Sequence, residues 1–306
     1  MMFLIIRLPE PWLIPMIISA SRRTDIPAFY APWFMNRIRA GFCVVRNPFN
    51  PRQSTRVSLA PEDVDLIVFW TRNPKPLLPY LKELDARGYR YYFLFTLLDY
   101  PSWLELGTPA VENSLECFKQ LSELIGPHKV IWRYDPIVLT IRTPIEFHKQ
   151  TFQELARALQ GYTTRCIISL VELYRKAQNR LKPLREQGIE IQACEGDALV
   201  DLMRALSRIG LENHMQLFSC AQEIDLSAYG ILPGKCIDDR YISGVFGLQV
   251  DPKKDPSQRK ACGCVVSKDI GAYDTCLFGC KYCYATNSLE RAKRNYQKHD
   301  PNSEGL

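Results

Sequence analysis

Three cysteines stand close together near the far end of the chain. They lie in the run Cys276-Leu277-Phe278-Gly279-Cys280-Lys281-Tyr282-Cys283-Tyr284-Ala285, at C-x3-C-x2-C spacing. Thiolates on short loops are the usual ligands of iron–sulfur clusters. Gaps of three and two residues let one loop supply three sulfurs to a volume a few ångströms across, and Gly279 lets the backbone turn between the first two. Three sulfurs on a cubane leave one iron without a protein ligand, and such an iron can bind a small molecule. A structural zinc more often draws two separated Cys or His pairs, and no His lies near this loop.

A second group of thiols precedes the loop. Cys262-Gly263-Cys264 is a tight C-x-C whose glycine would let both sulfurs face one ion. With Cys220 and Cys236 it could hold an auxiliary iron–sulfur cluster or a zinc. Cys43, Cys117, Cys166 and Cys194 read instead as small buried apolar residues.

The elements that position these groups follow from the apolar pattern. Near-continuous apolar runs such as Asp65–Trp70, Tyr91–Thr96, Lys129–Tyr134 and Arg165–Leu170 alternate with helical stretches such as Val111–Ile125. That order predicts a parallel sheet buried on both faces. About seven such units fit an α/β fold of (β/α) barrel type, TIM-like, complete or partial. An open doubly wound sheet is the alternative, although no Gly-x-Gly-x-x-Gly follows the first strand. Expected elements include strands at Met16–Ser21 and Phe42–Val45 and a helix from Ala28 to Ala40. A further helix runs from Pro144 to Leu159, with Thr143 as its N-cap.

Three regions are expected. Residues 1–15 form an extension in which Pro9, Pro11 and Pro15 break an apolar run, so that Met16 begins the working fold. Residues 16–250 form the barrel, and 251–306 form the cysteine-rich segment that closes over its mouth.

In such barrels the site gathers at the C-terminal ends of the strands. Those ends are rich in arginine and polar groups: Ser19, Ser21, Arg22, Arg23 and Asp25; Arg46 and Asn47; Arg72 and Asn73; Arg133 and Asp135. Arginines after successive strands suggest a pocket for carboxylate or phosphate. Arg133 and Asp135 are the candidate catalytic pair. Ser19, Ser21, Arg22, Arg23, Asp25, Arg72 and Asn73, with Tyr282, are candidates for holding a cofactor.

Composition sets the limits. Hydrophobic residues at 46% and charged residues at 24% match ordinary globular proteins. Eleven cysteines in a chain of this length do not read as a secreted disulfide framework and point to a reducing cytoplasm. A net charge of +6 permits an anionic substrate or nucleic acid without requiring either. No run is long and unbroken enough for a membrane span.

The C-x3-C-x-aromatic-C motif, with Tyr282 as the aromatic, resembles that of the radical S-adenosylmethionine (SAM) superfamily. Three stretches extend the resemblance: Ser19-Ala20-Ser21-Arg22-Arg23-Thr24-Asp25-Ile26-Pro27, Trp132-Arg133-Tyr134-Asp135-Pro136-Ile137, and the run from Cys262 to Ala285. Together they resemble an uncharacterised bacterial domain-of-unknown-function family. Its members are described as carrying at the C-terminus the cysteine cluster that radical SAM enzymes carry at the N-terminus. The resemblance implies a [4Fe–4S] cluster on Cys276, Cys280 and Cys283, with S-adenosyl-L-methionine on the open iron. It also implies reductive SAM cleavage and a small electron donor such as flavodoxin or ferredoxin. Phosphomethylpyrimidine synthase is a precedent for a C-terminal cluster serving a barrel. The Tyr-Cys-Tyr-Ala ending resembles the spore photoproduct lyase branch. The rival expectations are an iron–sulfur electron-transfer or redox-sensing protein and a zinc-stabilised nucleic-acid-binding protein.

Overall fold

The computed structural model describes residues 16–50 and 52–306; the extension expected over residues 1–15 lies outside them. β1 (Met16–Ala20) is followed by α1 (Ile26–Phe29) and α2 (Ala31–Ala40). The single helix expected from Ala28 is thus two, joined at Tyr30, and α1 starts where the Asp25 side chain accepts the Ala28 N–H. β2 (Phe42–Arg46) and β3 (Ser54–Ser58) pair antiparallel in a ribbon of their own. The expectation that Phe42–Val45 is the next strand of the main sheet is therefore corrected. Only seven residues lie between these strands, which suits a hairpin but not a parallel crossover.

The main sheet continues with β4 (Val64–Thr71), α3 (Leu81–Ala86), β5 (Tyr91–Thr96), α4 (Val111–Ile125), β6 (Val130–Ile137) and α5 (Ile145–Leu159). Pro144, not Thr143, occupies the α5 cap position; the Thr143 hydroxyl donates to the Val138 carbonyl instead, at 2.7 Å. β7 (Arg165–Leu170), α6 (Arg175–Arg185), α7 (Gly196–Glu212) and β8 (Gln216–Cys220) complete the pattern legible in the sequence. β9 (Leu232–Gly234), α8 (Asp239–Phe246), β10 (Lys268–Asp269) and α9 (Leu289–Gln297) follow it.

Eight strands form one parallel sheet in the order β10-β1-β4-β5-β6-β7-β8-β9. From β1 to β9 the order is sequential, without the reversal of a doubly wound sheet. The two end strands, β9 and β10, are not paired with each other among the described residues.

Alternation along the strands gives the sheet two different faces. Ile18, Ile67, Phe69, Phe93, Trp132 and Cys166 face one way and pack with Phe34, Phe118, Phe152 and Leu206 of α2, α4, α5 and α7. Fully burying such a side chain is worth about 1.5–3 kcal/mol. Ile17, Val68, Leu94, Ile131 and Ile167 face the other way, into a smaller core with Ile242 of α8. The same alternation turns Ser19, Trp70, Arg133 and Cys220 to this second face at the C-terminal strand ends. No helix among the described residues is long and apolar enough to cross a membrane.

His148 on α5 locks that helix to the sheet. Its Nδ1 meets the Tyr134 hydroxyl at 3.0 Å, and its Nε2 meets the Val138 carbonyl at 3.1 Å. Burial lowers its pKa from 6.5 to about 4, against the pull of the Val138 bond. Between those values the unfolded chain binds the proton and the folded chain does not, so stability is full above the upper value and falls as pH drops through the window. Urea midpoints measured from pH 7.5 to 5 are expected to decline, and His148→Gln is expected to flatten that decline. An equally steep decline in the variant would assign the acid sensitivity elsewhere.

Candidate metal centre at the strand ends

The loop that carries Cys276, Cys280 and Cys283 is fastened from several sides. Lys281 N–H donates to the Leu104 carbonyl at 2.9 Å, and Gly107 N–H to the Phe278 carbonyl at 2.8 Å. A Cβ on Gly107 would stand 3.1 Å from the Leu277 and Phe278 carbonyl oxygens, so a side chain there would press the loop back by a few tenths of an ångström. Gly279 takes φ 70°, which turns the chain between the first two cysteines as its type suggested. Tyr30 donates its hydroxyl to the Thr275 carbonyl at 2.8 Å.

Beneath the loop lies a buried polar knot. Arg72 makes two bonds to Glu105, at 2.8 and 2.7 Å, and a third to the Tyr282 hydroxyl at 2.6 Å; Tyr282 in turn bonds Glu105. Arg72 N–H donates to Asp25 at 2.7 Å. Arg72 and Tyr282, both candidates for holding a cofactor, thus fix the cysteine loop to the ends of β4 and β1. Glu105 was not evident in the sequence, since nothing distinguishes it from a surface acid until it is seen buried.

The three thiols are half-buried and lie near enough for each of the other two to act electrostatically on Cys276. Ala285 N–H points at Cys283 Sγ at 3.3 Å, and Cys283 N–H closes a turn on the Cys280 carbonyl at 3.2 Å. Burial raises Cys276 well above the ordinary thiol value. It pushes Cys280 up to about 12, with Arg72 pulling the other way. Burial also raises the Asp25 carboxyl to about 7, opposed by bonds from Arg72, Thr71 and Ala28. A cavity of about 210 Å³ flanks Cys280, lined by Leu106, Arg180, Lys281, Asn287 and Glu290.

Ser19, Ser21 and Arg23 converge on one carboxylate. Asp269 of β10 accepts from Ser19 at 3.1 Å, Ser21 at 2.7 Å, Arg22 N–H at 2.7 Å and Arg23 Nε at 3.0 Å. These residues dock the C-terminal segment onto β1. Asn73 lies apart from this set. It caps its own turn and lines a second cavity of about 240 Å³ with Lys75, Asn113 and Cys117. Arg46 and Asn47 lie in the β2–β3 hairpin, where Asn47 bonds Gln53.

Arg22 and Arg133 flank the Trp70 ring, with guanidinium carbons 5.0 and 4.9 Å from its centroid. Asp135 pairs with Arg133 and accepts from Ser169. Tyr284 donates to the Arg22 carbonyl at 2.6 Å, linking the end of the cysteine loop to this arginine. Arg22 Nη2, Arg133 Nε and Trp70 Nε1 are buried without a hydrogen-bond partner among the described residues. Buried donors are normally satisfied, so this cluster is suited to an anionic ligand. Trp70 and Tyr284 complete a group that the strand-end pattern identified only through its arginines.

Cys220, Cys236, Cys262 and Cys264 also come together and are buried. Cys220 and Cys236 sulfurs are 3.2 Å apart, Cys264 Sγ accepts from the Ile237 N–H at 3.4 Å, and Cys236 and Cys262 lie near enough to lower the Cys264 thiol below its ordinary value. No three His, Cys, Asp or Glu among the described residues already stand in metal-ligating arrangement.

A family model described as Domain of unknown function (DUF1848) matches residues 17–285. The chain belongs to this family. No curated protein and no solved structure matches it. The matched span ends at Ala285, two residues past Cys283, so both cysteine groups fall within the family domain.

Glu105→Gln is expected to leave Arg72 buried without its counter-charge and to cost about 3–5 kcal/mol. The thermal midpoint should fall, and alkylation of Cys280 should quicken more than that of Cys43. Unchanged Cys280 reactivity would show that the loop does not depend on the knot.

Proposed function

We propose that this chain is a radical SAM-like enzyme. Cys276, Cys280 and Cys283 would hold a [4Fe–4S] cluster, and SAM would bind at its open iron. The carrying observation is that a single short loop, pinned over the strand ends, brings three half-buried thiols beside a polar site with unsatisfied donors. The donor set fits such a cluster. The thiols come from one turn, Ala285 N–H already points at a sulfur, and Arg72 acts on Cys280 with a positive charge. When bound, the cluster supplies one-electron reduction and an iron with an open position.

The chain's own residues have distinct tasks in this reading. Arg22 and Arg133 bind the carboxylate or phosphate of a ligand through their free N–H groups, and Trp70 between them gives a flat apolar wall. Asp135 and Ser169 orient Arg133. Tyr282 and Glu105 keep the loop in place, and Tyr284 covers Arg22. The cytoplasmic setting, and the small electron donor that such chemistry needs, belong to the same proposal. So does the partial-barrel reading of the sheet. It is supported by the sequential strand order and by the polar strand ends collected on the face away from α2, α4, α5 and α7.

Anaerobically reconstituted protein, once reduced, is expected to convert SAM to 5′-deoxyadenosine and methionine. Cys280→Ala should lose both iron and cleavage. Arg133→Ala should keep the iron and lose activity on the order of 10²-fold, the scale of a misplaced reactant. A full, reducible cluster whose electron paramagnetic resonance signal ignores SAM, with no cleavage, would replace this reading with an electron-transfer role.

A further inference from the structure

The four thiols of Cys220, Cys236, Cys262 and Cys264 occupy a particular place in the fold. β9 and β10 are the two ends of the parallel sheet. Cys220 ends β8, Cys236 lies two residues past β9, and Cys262 and Cys264 lie just before β10. The segments meet there directly. Val265 N–H donates to the Ile237 carbonyl at 3.1 Å, and Ile237 N–H donates to Cys264 Sγ at 3.4 Å. The Tyr92 hydroxyl holds the Cys236 carbonyl at 2.6 Å from inside the sheet.

We propose that these four cysteines bind one tetrahedral zinc-type divalent ion, which staples the two ends of the sheet together. The first argument is spacing. Zn–S bonds of about 2.3 Å place tetrahedral sulfurs about 3.8 Å apart. Cys220 and Cys236 stand at 3.2 Å, and Cys264, whose Sγ takes the N–H of Ile237 next to Cys236, lies near enough to Cys236 and Cys262 for both to act on it. Binding one ion asks the first pair to spread by only about 0.6 Å. A cubane would force the sulfurs much farther apart, because its own iron–sulfur edges lie between them.

The second argument is closure. Structural zinc sites are closed and all-protein, whereas sites that take a further ligand stay open. All four of these thiols are buried, while Cys276, Cys280 and Cys283 are half-exposed. The third argument is charge. Four thiolates around one divalent ion carry two negative charges in excess. Arg22 lies near enough to act electrostatically on Cys264, and Arg133 and Arg22 both act on Cys220. The Ile237 N–H adds the backbone donor that a bound thiolate accepts. Binding releases the thiol protons to solvent and involves no change of oxidation state.

The test uses the full chain purified anaerobically, with zinc and iron counted per chain after dialysis against a weak chelator. The expected result is one zinc equivalent, present equally in wild type and in Cys280→Ala. The double variant Cys262→Ala/Cys264→Ala should lose that equivalent and still take up iron. Cobalt(II) exchanged into wild type should give the visible bands of a tetrahedral thiolate site, and a strong chelator should lower the thermal midpoint by several degrees. Because the stoichiometry is read first on wild type, a double variant that fails to fold does not decide the matter. Folded wild type without zinc overturns the proposal. So does a Cys220–Cys236 disulfide found by mass spectrometry, or iron in place of zinc at these four residues. None of these outcomes touches the proposed cluster on Cys276, Cys280 and Cys283, which Cys280→Ala tests separately.

Discussion

The Asp269 carboxylate is the constraint on which the rest of the site depends. It sits on β10, about 250 residues after the strand it pairs with, and takes hydrogen bonds from Ser19, Ser21, the Arg22 amide and Arg23. Closing so long a loop has an entropic cost that grows only slowly with length, but the register must still be specified. Two β-bridge pairs do not specify it strongly. A carboxylate with several charged and neutral donors aimed at it does, because displacing it would leave those donors unpaired.

With β10 held on β1, the chain beyond it has little freedom. Twelve residues separate Asp269 from Tyr282, whose hydroxyl joins the Arg72–Glu105 pair. The two polar knots therefore fix the cysteine loop at both ends, one through β1 and one through β4. A buried ion pair is weak support for stability, since desolvation offsets much of its attraction. Its effect here is positional: it determines which strand ends the thiols face. Tyr284 then brings the loop's last residue onto Arg22, between the two cysteine groups.

The arginines behave in three different ways although they look alike in sequence. Arg23 and Arg72 are spent on internal carboxylates. Arg46 lies on a hairpin outside the main sheet. Arg22 and Arg133 keep free N–H groups beside Trp70. The strand-end rule locates the residues, and the partners available to each decide whether any donor remains for a ligand.

What the sequence determined by itself was local. The apolar runs of β4, β5, β6 and β7 and the amphipathic α4 and α5 were legible because their burial follows from period alone. The C-x3-C-x2-C spacing likewise marked Cys276, Cys280 and Cys283 without reference to the fold. The sequence could not show that Phe42–Val45 leaves the main sheet for a hairpin, because an apolar run does not name its partner strand. Nor could it show that β9 and β10 are strands at all: at three and two residues they carry no periodicity. Glu105 and Asp269 look like surface acids until tertiary contacts bury them. Four thiols spread from residue 220 to 264 could be suspected as a group but not joined. Only the tertiary structure brought them together, because they meet where the segment after β9 touches the segment before β10, and that contact depends on β10 returning to β1.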